Sequence, residues 1–410
     1  MQITGDQQLL KKINQMALVC HLCSHPGLSR ADLAQALGLT KSTVSILVKE
    51  LVDQGWVVER ELMVTGSLGR RPTPLFISPQ RLVLLGADVG VENIRIVATT
   101  LTGDVIAQTV IDYVNAVDAT SCMVALAEGF VRMGHTIASG EREIAGLGVG
   151  LAGGVDEAAG ALHFAPNLGW RNVKVAALLK QHLQGTALEK LPLFIQNEAD
   201  VAAVGELEFA DHMGSDPLVY VSVSYGVGAG VVVNDRLLTG CNGFAGEIGH
   251  TILQLDGPVC SCGRRGCAEA LIGFKSLLGS QADLHAPSSL AQLHTMRTRV
   301  AQCDAQAVAS AGQAGRYLGV LLQNLWVAYD PMRIVLGGAA LDLGPAFLQP
   351  ALQTFQSYAA AAQMPAPVID ISRFGDNAVA VGAAALVRYR LTRPLTLPTS
   401  SSSRAETAGA

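Results

Sequence analysis

Short apolar stretches, several of them containing or ending at glycine, recur along most of this chain and constrain its fold more than any other feature. They read Leu82-Val-Leu-Leu-Gly-Ala-Asp88, Ile94-Arg-Ile-Val-Ala98, Ile144-Ala-Gly-Leu-Gly-Val-Gly150, Leu218-Val-Tyr-Val-Ser-Val-Ser224, Val231-Val-Val233 and Arg333-Ile-Val-Leu-Gly-Gly338. Such runs read as buried strands, and helical stretches lie between several of them. Because the pattern occurs early and again late, it predicts an α/β domain of two similar lobes. In sheets of this kind ligands bind beyond the carboxyl ends of the strands, so the glycine turns are where chemistry is expected.

At 410 residues the chain exceeds the size at which single cores stop growing, and two or three packed units are expected. Half the residues are hydrophobic and 15% are charged, which excludes a disordered chain. No apolar run approaches the roughly 20 residues that cross a bilayer. Asp6, Lys11 and Lys12 stand where a signal peptide would be hydrophobic, so a cytoplasmic protein without membrane contact is expected.

The first eighty residues have a different character. Leu9, Leu10, Ile13, Met16, Ala17 and Cys20 fall at helical spacing between residues 7 and 24, and Pro26-Gly27 ends that segment. Ser29 with Asp32 three residues on reads as a capping box, with Leu28 placed to staple onto Leu33 and Gly38 as the stop. Thr40 repeats the device with Leu39 and Val44, and Leu47, Val48 and Leu51 continue the apolar face toward Gly55. Two capped helices joined by a short turn containing glycine make a helix-turn-helix. The outward face of the second carries Lys41, Ser42, Thr43, Ser45 and Lys49, types that approach phosphates and base edges in a major groove.

Trp56-Val57-Val58 and Leu75-Phe76-Ile77 read as two strands around the polar loop Thr65–Pro72, which completes a wing. Arg70 and Arg71 in that loop can enter a minor groove or grip phosphate. The plainer alternative, a winged bundle for protein contact, gives those arginines nothing to do. Net charge agrees with a local DNA contact: residues 1–80 carry eight Lys or Arg against six Asp or Glu, whereas the remainder carries 21 against 28.

Eight cysteines are spread unevenly. Cys20 and Cys23 lie inside an apolar helix and read as core thiols. Cys260, Cys262 and Cys267, after a histidine, cluster as in a metal site of a reducing compartment; a disulfide framework is not expected.

Gly243-Phe-Ala-Gly-Glu-Ile-Gly-His250, followed after nine residues by Cys260-Ser-Cys-Gly-Arg-Arg-Gly-Cys-Ala-Glu269, resembles the zinc signature of the ROK family of sugar kinases and sugar-responsive repressors. Only Val259, where glycine is usual, departs from it. The resemblance spans roughly residues 7 to 390 and implies a two-lobed, actin-like ATPase fold with sugar in the cleft between lobes. His250, Cys260, Cys262 and Cys267 then supply the four N/S ligands of one structural zinc per chain, leaving no open position. The same resemblance makes Glu247, His250 and Glu269 sugar contacts, completed by Asn197 and Glu198 from the other lobe. One ring nitrogen of His250 can bind the metal while the other faces the sugar. For Asn197 and Glu198 the plainer alternative is a solvated helix start. Gly153-Gly154 and Asn167–Trp170 are expected to line the cleft as well.

Three departures separate this chain from the family's kinases. Their first phosphate loop, Asp-x-Gly-Gly-Thr, is here Asp88-Val-Gly90-Val91-Glu92, so a valine crowds and a carboxylate repels a polyphosphate. Their second, Gly-Thr-Gly, is Ser224-Tyr225-Gly226, and their catalytic Asp is replaced by the longer Glu198. The expectation is a sensor with no catalytic residues, a DNA-binding repressor released from its operator by sugar and acting as a homodimer or homotetramer. The rival is a sugar kinase with an appended DNA-binding domain. The expected organisation is a winged helix-turn-helix over 1–80, a first lobe over 82–197 plus 377–390, a second lobe over 198–375 and a disordered tail over 391–410.

Overall fold

The structure, a computed structural model, describes residues 7–60, 73–112, 118–138, 142–210, 216–241, 243–278 and 289–393. Helices α1 (Gln7–Ser24), α2 (Arg30–Leu37) and α3 (Lys41–Asp53) precede strands β1 (Val57–Glu59) and β2 (Leu75–Ile77), which pair antiparallel as a small winged unit. The caps form locally. Ser29 and Asp32 cap each other's backbone N–H at the start of α2, and Gly38 ends it in the left-handed region at φ 65°. The Thr40 side chain then accepts from the Thr43 N–H to start α3. The expected wing tip, with Arg70 and Arg71, lies outside the described residues.

The first lobe follows. Strands β3 (Leu82–Val89), β4 (Asn93–Thr100) and β5 (Val105–Asp112), helix α4 (Ala119–Ile137) and strand β6 (Glu143–Leu151) lead to a three-stranded sheet of β7 (Gly154–Asp156), β8 (Ala161–Ala165) and β9 (Trp170–Val173). Helix α5 (Val175–His182) and strand β10 (Leu193–Asn197) close the lobe, whose main sheet runs β10-β6-β3-β4-β5.

After helix α6 (Glu198–Phe209) come strands β11 (Leu218–Val223), β12 (Val227–Val233) and β13 (Arg236–Leu237), with short helices α7 (Ala268–Ile272) and α8 (Phe274–Leu278). Helices α9 (Ser289–Ala301) and α10 (Ala305–Tyr329), strand β14 (Arg333–Gly337), helix α11 (Pro345–Ala362), strand β15 (Val368–Ile371) and helix α12 (Ala378–Thr392) complete the chain. Their sheet runs β13-β12-β11-β14-β15. Numbered by appearance within each lobe, both sheets have the order 3-2-1-4-5, with the first and second strands antiparallel and the first and fourth parallel. The two-lobed α/β architecture is therefore an internal structural repeat.

Helix α6 packs on β11 and β12 of the second sheet, α12 packs on β3 and β6 of the first, and the two helices pack on each other. The approach of α12 is close enough to dictate composition: a Cβ on Gly86 or Gly148 would collide with the Ala380 or Ala383 carbonyl oxygen. Alanines from α12 join Met16, Leu22, Val48 and Leu51 of the winged unit in one apolar cluster, so the head is seated on the lobe rather than tethered to it.

The chain's end differs from expectation. Helix α12 runs through Thr392, which is buried, and Arg393 is ion-paired with Glu208, so residues 391–393 belong to the fold. The physical reason is Glu208, a buried carboxylate that requires cationic partners. The rest of the expected tail, 394–410, lies outside the described residues. Among the described residues no helix is long and apolar enough to cross a membrane.

Candidate functional site

The carboxyl ends of the central strands face one cleft between the lobes, and Asn197, Glu198, Glu247, His250 and Glu269 all line it. Counted to its open mouth, the cleft holds about 680 Å³. The first lobe contributes Gly153, Phe164, Pro166 and Asn167, while Gly226 to Ala229 at the start of β12 form the facing wall.

Asn197 has a structural task. Its Oδ1 accepts from the Ala199 and Asp200 N–H groups, capping α6, and its Nδ2 donates to Gly153 O at 2.9 Å. Both Oδ1 lone pairs are thus used, and one Nδ2 hydrogen remains for a ligand. The helix-start alternative is thus also true of this residue, although the start lines a cleft. Glu198 follows it into the first turn. Burial, then the nearby carboxylates of Asp88, Glu247 and Glu269, push the Glu198 carboxyl up to about 8. Burial likewise raises Asp88 to about 7 against the opposing pull of Arg95, and Asp88 Oδ1 has no hydrogen-bond partner among the described residues. Burial raises Glu247 too, with the His250 ring opposing. Protonated carboxyls that both donate and accept match sugar hydroxyls.

The 3-10 turn Ile248–His250 carries His250 between two partners. Its Nδ1 lies 3.7 Å from Cys260 Sγ and its Nε2 lies 3.8 Å from Glu247 Oε2. The ring nitrogens thus divide between a sulfur cluster and the cleft. Potential ligand atoms of His250, Cys260, Cys262 and Cys267 all lie within 4.8 Å of one another. Cys262 and Cys267 Sγ are 3.7 Å apart, far beyond a disulfide bond, whereas a tetrahedron with Zn–S bonds of about 2.3 Å has edges of about 3.8 Å. Burial opposes ionisation of Cys262, but the backbone and side chain of Arg264 outweigh it and bring this thiol down to about 7. The donor set therefore fits a closed tetrahedral metal site.

Ser261, which sequence reasoning passed over as a spacer between two cysteines, lines the cleft and donates to Glu269 Oε1 at 2.8 Å. Phe164 was missed as well. It sits on β8 with its ring centroid 5.8 Å from that of the exposed Phe244, and a phenylalanine in a short, largely apolar strand gave no ligand signal.

Next to Gly226 of the cleft wall, the Tyr225 hydroxyl donates to the Glu92 carboxylate, joining the loop after β11 to the loop after β3. The Tyr225 ring also packs on Phe274. These are two of the positions at which the sequence departs from phosphate loops.

On α3, Lys41, Ser42, Ser45 and Lys49 are exposed and Thr43 is half-buried. Ser42 and Thr43 share hydrogen bonds with Thr40, and Ser45 donates back to Lys41 O. Ile46, which sequence reasoning omitted as apolar, is 59% exposed on this helix, where it can meet a thymine methyl group.

A model of the ROK family matches residues 84–390, three quarters of the chain. The chain belongs to the ROK family. A MarR family model matches residues 12–62 of this ROK protein, the winged unit. The xylose repressor of Caldicellulosiruptor bescii is 29% identical over 93% of this chain and 97% of its own length. The glucokinase of Halalkalibacterium halodurans is 28% identical over 75% of this chain and 95% of its own, leaving a quarter of this chain unmatched. Among solved structures, a ROK family transcriptional regulator described as a homologue of the E. coli MLC protein has a TM-score of 0.75 at 24% identity, covering 93% of this chain and 97% of its own, a likeness of fold.

Proposed function

We propose that this ROK protein is a sugar-responsive transcription repressor, released from operator DNA when a sugar fills the cleft. The observation that carries the proposal is helix α6. It begins in the cleft at Asn197 and Glu198, and after 12 residues, about 18 Å, it ends where Glu208 pairs with Arg388 and Arg393 beneath the winged unit. A ligand shifts a conformational equilibrium only by its differential affinity for the two states, and α6, packed along the α12 helix that in turn contacts α1, lets a sugar-dependent cleft arrangement reach the head.

Sugar contacts are assigned to Glu198, Glu247, His250 and Glu269, with Asn197 positioning the start of α6. DNA contacts are assigned to Lys41, Ser42, Thr43, Ser45, Lys49, Arg70 and Arg71. Reading paired half-sites about 34–36 Å apart requires two heads, hence a homodimer or a homotetramer built from dimers. One zinc ion per chain is held by His250, Cys260, Cys262 and Cys267. With all four positions filled it supplies stability and fixes the His250 tautomer.

Phosphoryl transfer is disfavoured by Val91, Glu92, Tyr225 and the longer Glu198. The related glucokinase keeps a kinase as the alternative reading. The test is operator affinity, measured on a duplex selected from random DNA by the full chain, with xylose, glucose or N-acetylglucosamine added. One of these sugars should weaken DNA binding about 5- to 150-fold. Glu247→Gln should require at least ten times more sugar while keeping sugar-free DNA binding. Tighter DNA binding with sugar overturns the release mechanism, and sugar-dependent ADP formation from ATP establishes the kinase.

A further inference from the structure

Sugar sensors of this architecture can meet two chemically distinct effectors, a free sugar and its phosphate ester. We infer that this cleft selects the free, uncharged sugar, and that the Glu92–Tyr225 pair is what excludes the phosphorylated form. The inference rests on the sugar-responsive reading above and specifies its ligand.

The first support is the charge of the wall. Glu198, Glu247 and Glu269 line the cleft, and among the described lining residues there is no lysine or arginine. A phosphate monoester carries close to two negative charges at neutral pH and is held in proteins by arginine, lysine or free backbone N–H groups. The nearest arginines are engaged: Arg264 Nε donates to Cys262 Sγ at 3.3 Å, and Arg95 acts on Asp88 and donates to Asn377. The positive end of α6 does point into the cleft, but Asn197 already occupies its Ala199 and Asp200 N–H groups, which leaves a phosphate few free donors there.

The second support is geometric and independent of the first. Gly226 lines the cleft against Glu269, so close that a Cβ there would clash with Oε2. Its neighbour Tyr225 crosses to Glu92 of the opposite lobe. The pair therefore stands next to the Gly226 wall, filling the space beyond it with a phenol and presenting a carboxylate to any charged substituent that reaches past Gly226. The carboxylate, already engaged by Tyr225, repels a phosphate and leaves an uncharged sugar unaffected. The Phe274 ring and the Ser224 Oγ bond to the Ala339 N–H hold the Tyr225 loop in place.

Isothermal titration of the full chain tests this, using xylose, glucose, mannose and N-acetylglucosamine beside glucose 6-phosphate, mannose 6-phosphate and N-acetylglucosamine 6-phosphate. At least one free sugar should bind, at least tenfold more tightly than its phosphate. The double variant Glu92→Thr with Tyr225→Thr restores small neutral groups; it should narrow the discrimination to about threefold while changing the free sugar's Kd by no more than twofold. Glu92→Gln alone, which keeps size and removes charge, should narrow it part-way. Equal or tighter binding of a phosphate by the native chain overturns the inference. So does a discrimination ratio that neither variant alters. If none of the free sugars or phosphates binds, the sugar-responsive reading fails first and takes the inference with it.

Discussion

The two ends of α6 carry the same side chain in opposite circumstances. At the cleft end, Glu198 is crowded by burial and by three other carboxylates, and its carboxyl is pushed up to about 8. At the far end, burial of Glu208 would act in the same direction, but Arg388 and Arg393 more than offset it and hold its carboxyl below the ordinary value. Arg388 Nε reaches Glu208 Oε2 at 2.7 Å, Arg393 Nη1 reaches Oε1 at 2.6 Å, and Arg388 also donates to Leu101 O. One end is a satisfied joint. At the other, no cation offsets the burial of Glu198. The difference places adaptability at the ligand and stiffness at the junction with the DNA-binding head.

The largest expected effect comes from removing the support of the cleft end. Glu247, His250 and Glu269 stand on the lip gathered by the cluster of His250, Cys260, Cys262 and Cys267, so if that cluster holds the proposed zinc, Cys262→Ser should abolish stoichiometric zinc and lower the melting temperature by roughly 10 °C or more, since structural zinc contributes folding free energy directly. Metal analysis of protein purified without added zinc, together with calorimetry of both forms, checks this. Retention of one zinc ion, or an unchanged melting temperature, would remove the structural metal.

Next in size is the sealed end. Glu208→Ala leaves Arg388, which is 3% exposed, without its carboxylate, and breaking a buried pair in this way costs about 3–5 kcal/mol. The loss should appear as a lower denaturant midpoint together with weaker coupling between sugar and operator. If stability falls and coupling is preserved, α6 is not the connecting element. If neither changes, the comparison of its two ends has no energetic content.

How much of this was legible beforehand follows from the range of the interactions. The caps at Ser29, Gly38 and Thr40 involve residues at most five positions apart, and sequence spacing alone identified them. The grouping of His250, Cys260, Cys262 and Cys267 was legible because these residues lie within 18 positions of one another. The joint of Glu208 with Arg388 and Arg393 spans 180 and 185 positions, and no local pattern announces it. Consequently the last helix was ended too soon. Gly86 and Gly148 lie inside strands, where glycine is unfavourable, and their reason is the backbone of α12 far along the chain. The departures at Glu92 and Tyr225 were visible individually; that they bond to each other required the two lobes to be brought together.

The smallest expected effect isolates the cleft end without disturbing its shape. In the native protein Glu198 keeps its proton up to about pH 8, whereas the unfolded chain releases it near the ordinary glutamate value of 4.5. Between those limits the native state binds more protons, so stability falls as pH rises, by about 1.4 kcal/mol per pH unit at most from this group. The contribution is fully present below pH 4.5 and lost as pH passes 8. Asp88 adds a similar slope ending near 7. Glu198→Gln keeps the size and a donor in place of the protonated acid but cannot ionise. Its melting temperature should therefore match or exceed that of the native chain at pH 9, and its fall between pH 6 and pH 9 should be smaller. Sugar affinity at pH 6 should change by less than about tenfold, because an amide still donates and accepts. Parallel falls in the two proteins would mean that Glu198 is already ionised at neutral pH, and the contrast with Glu208 would then lie in packing alone.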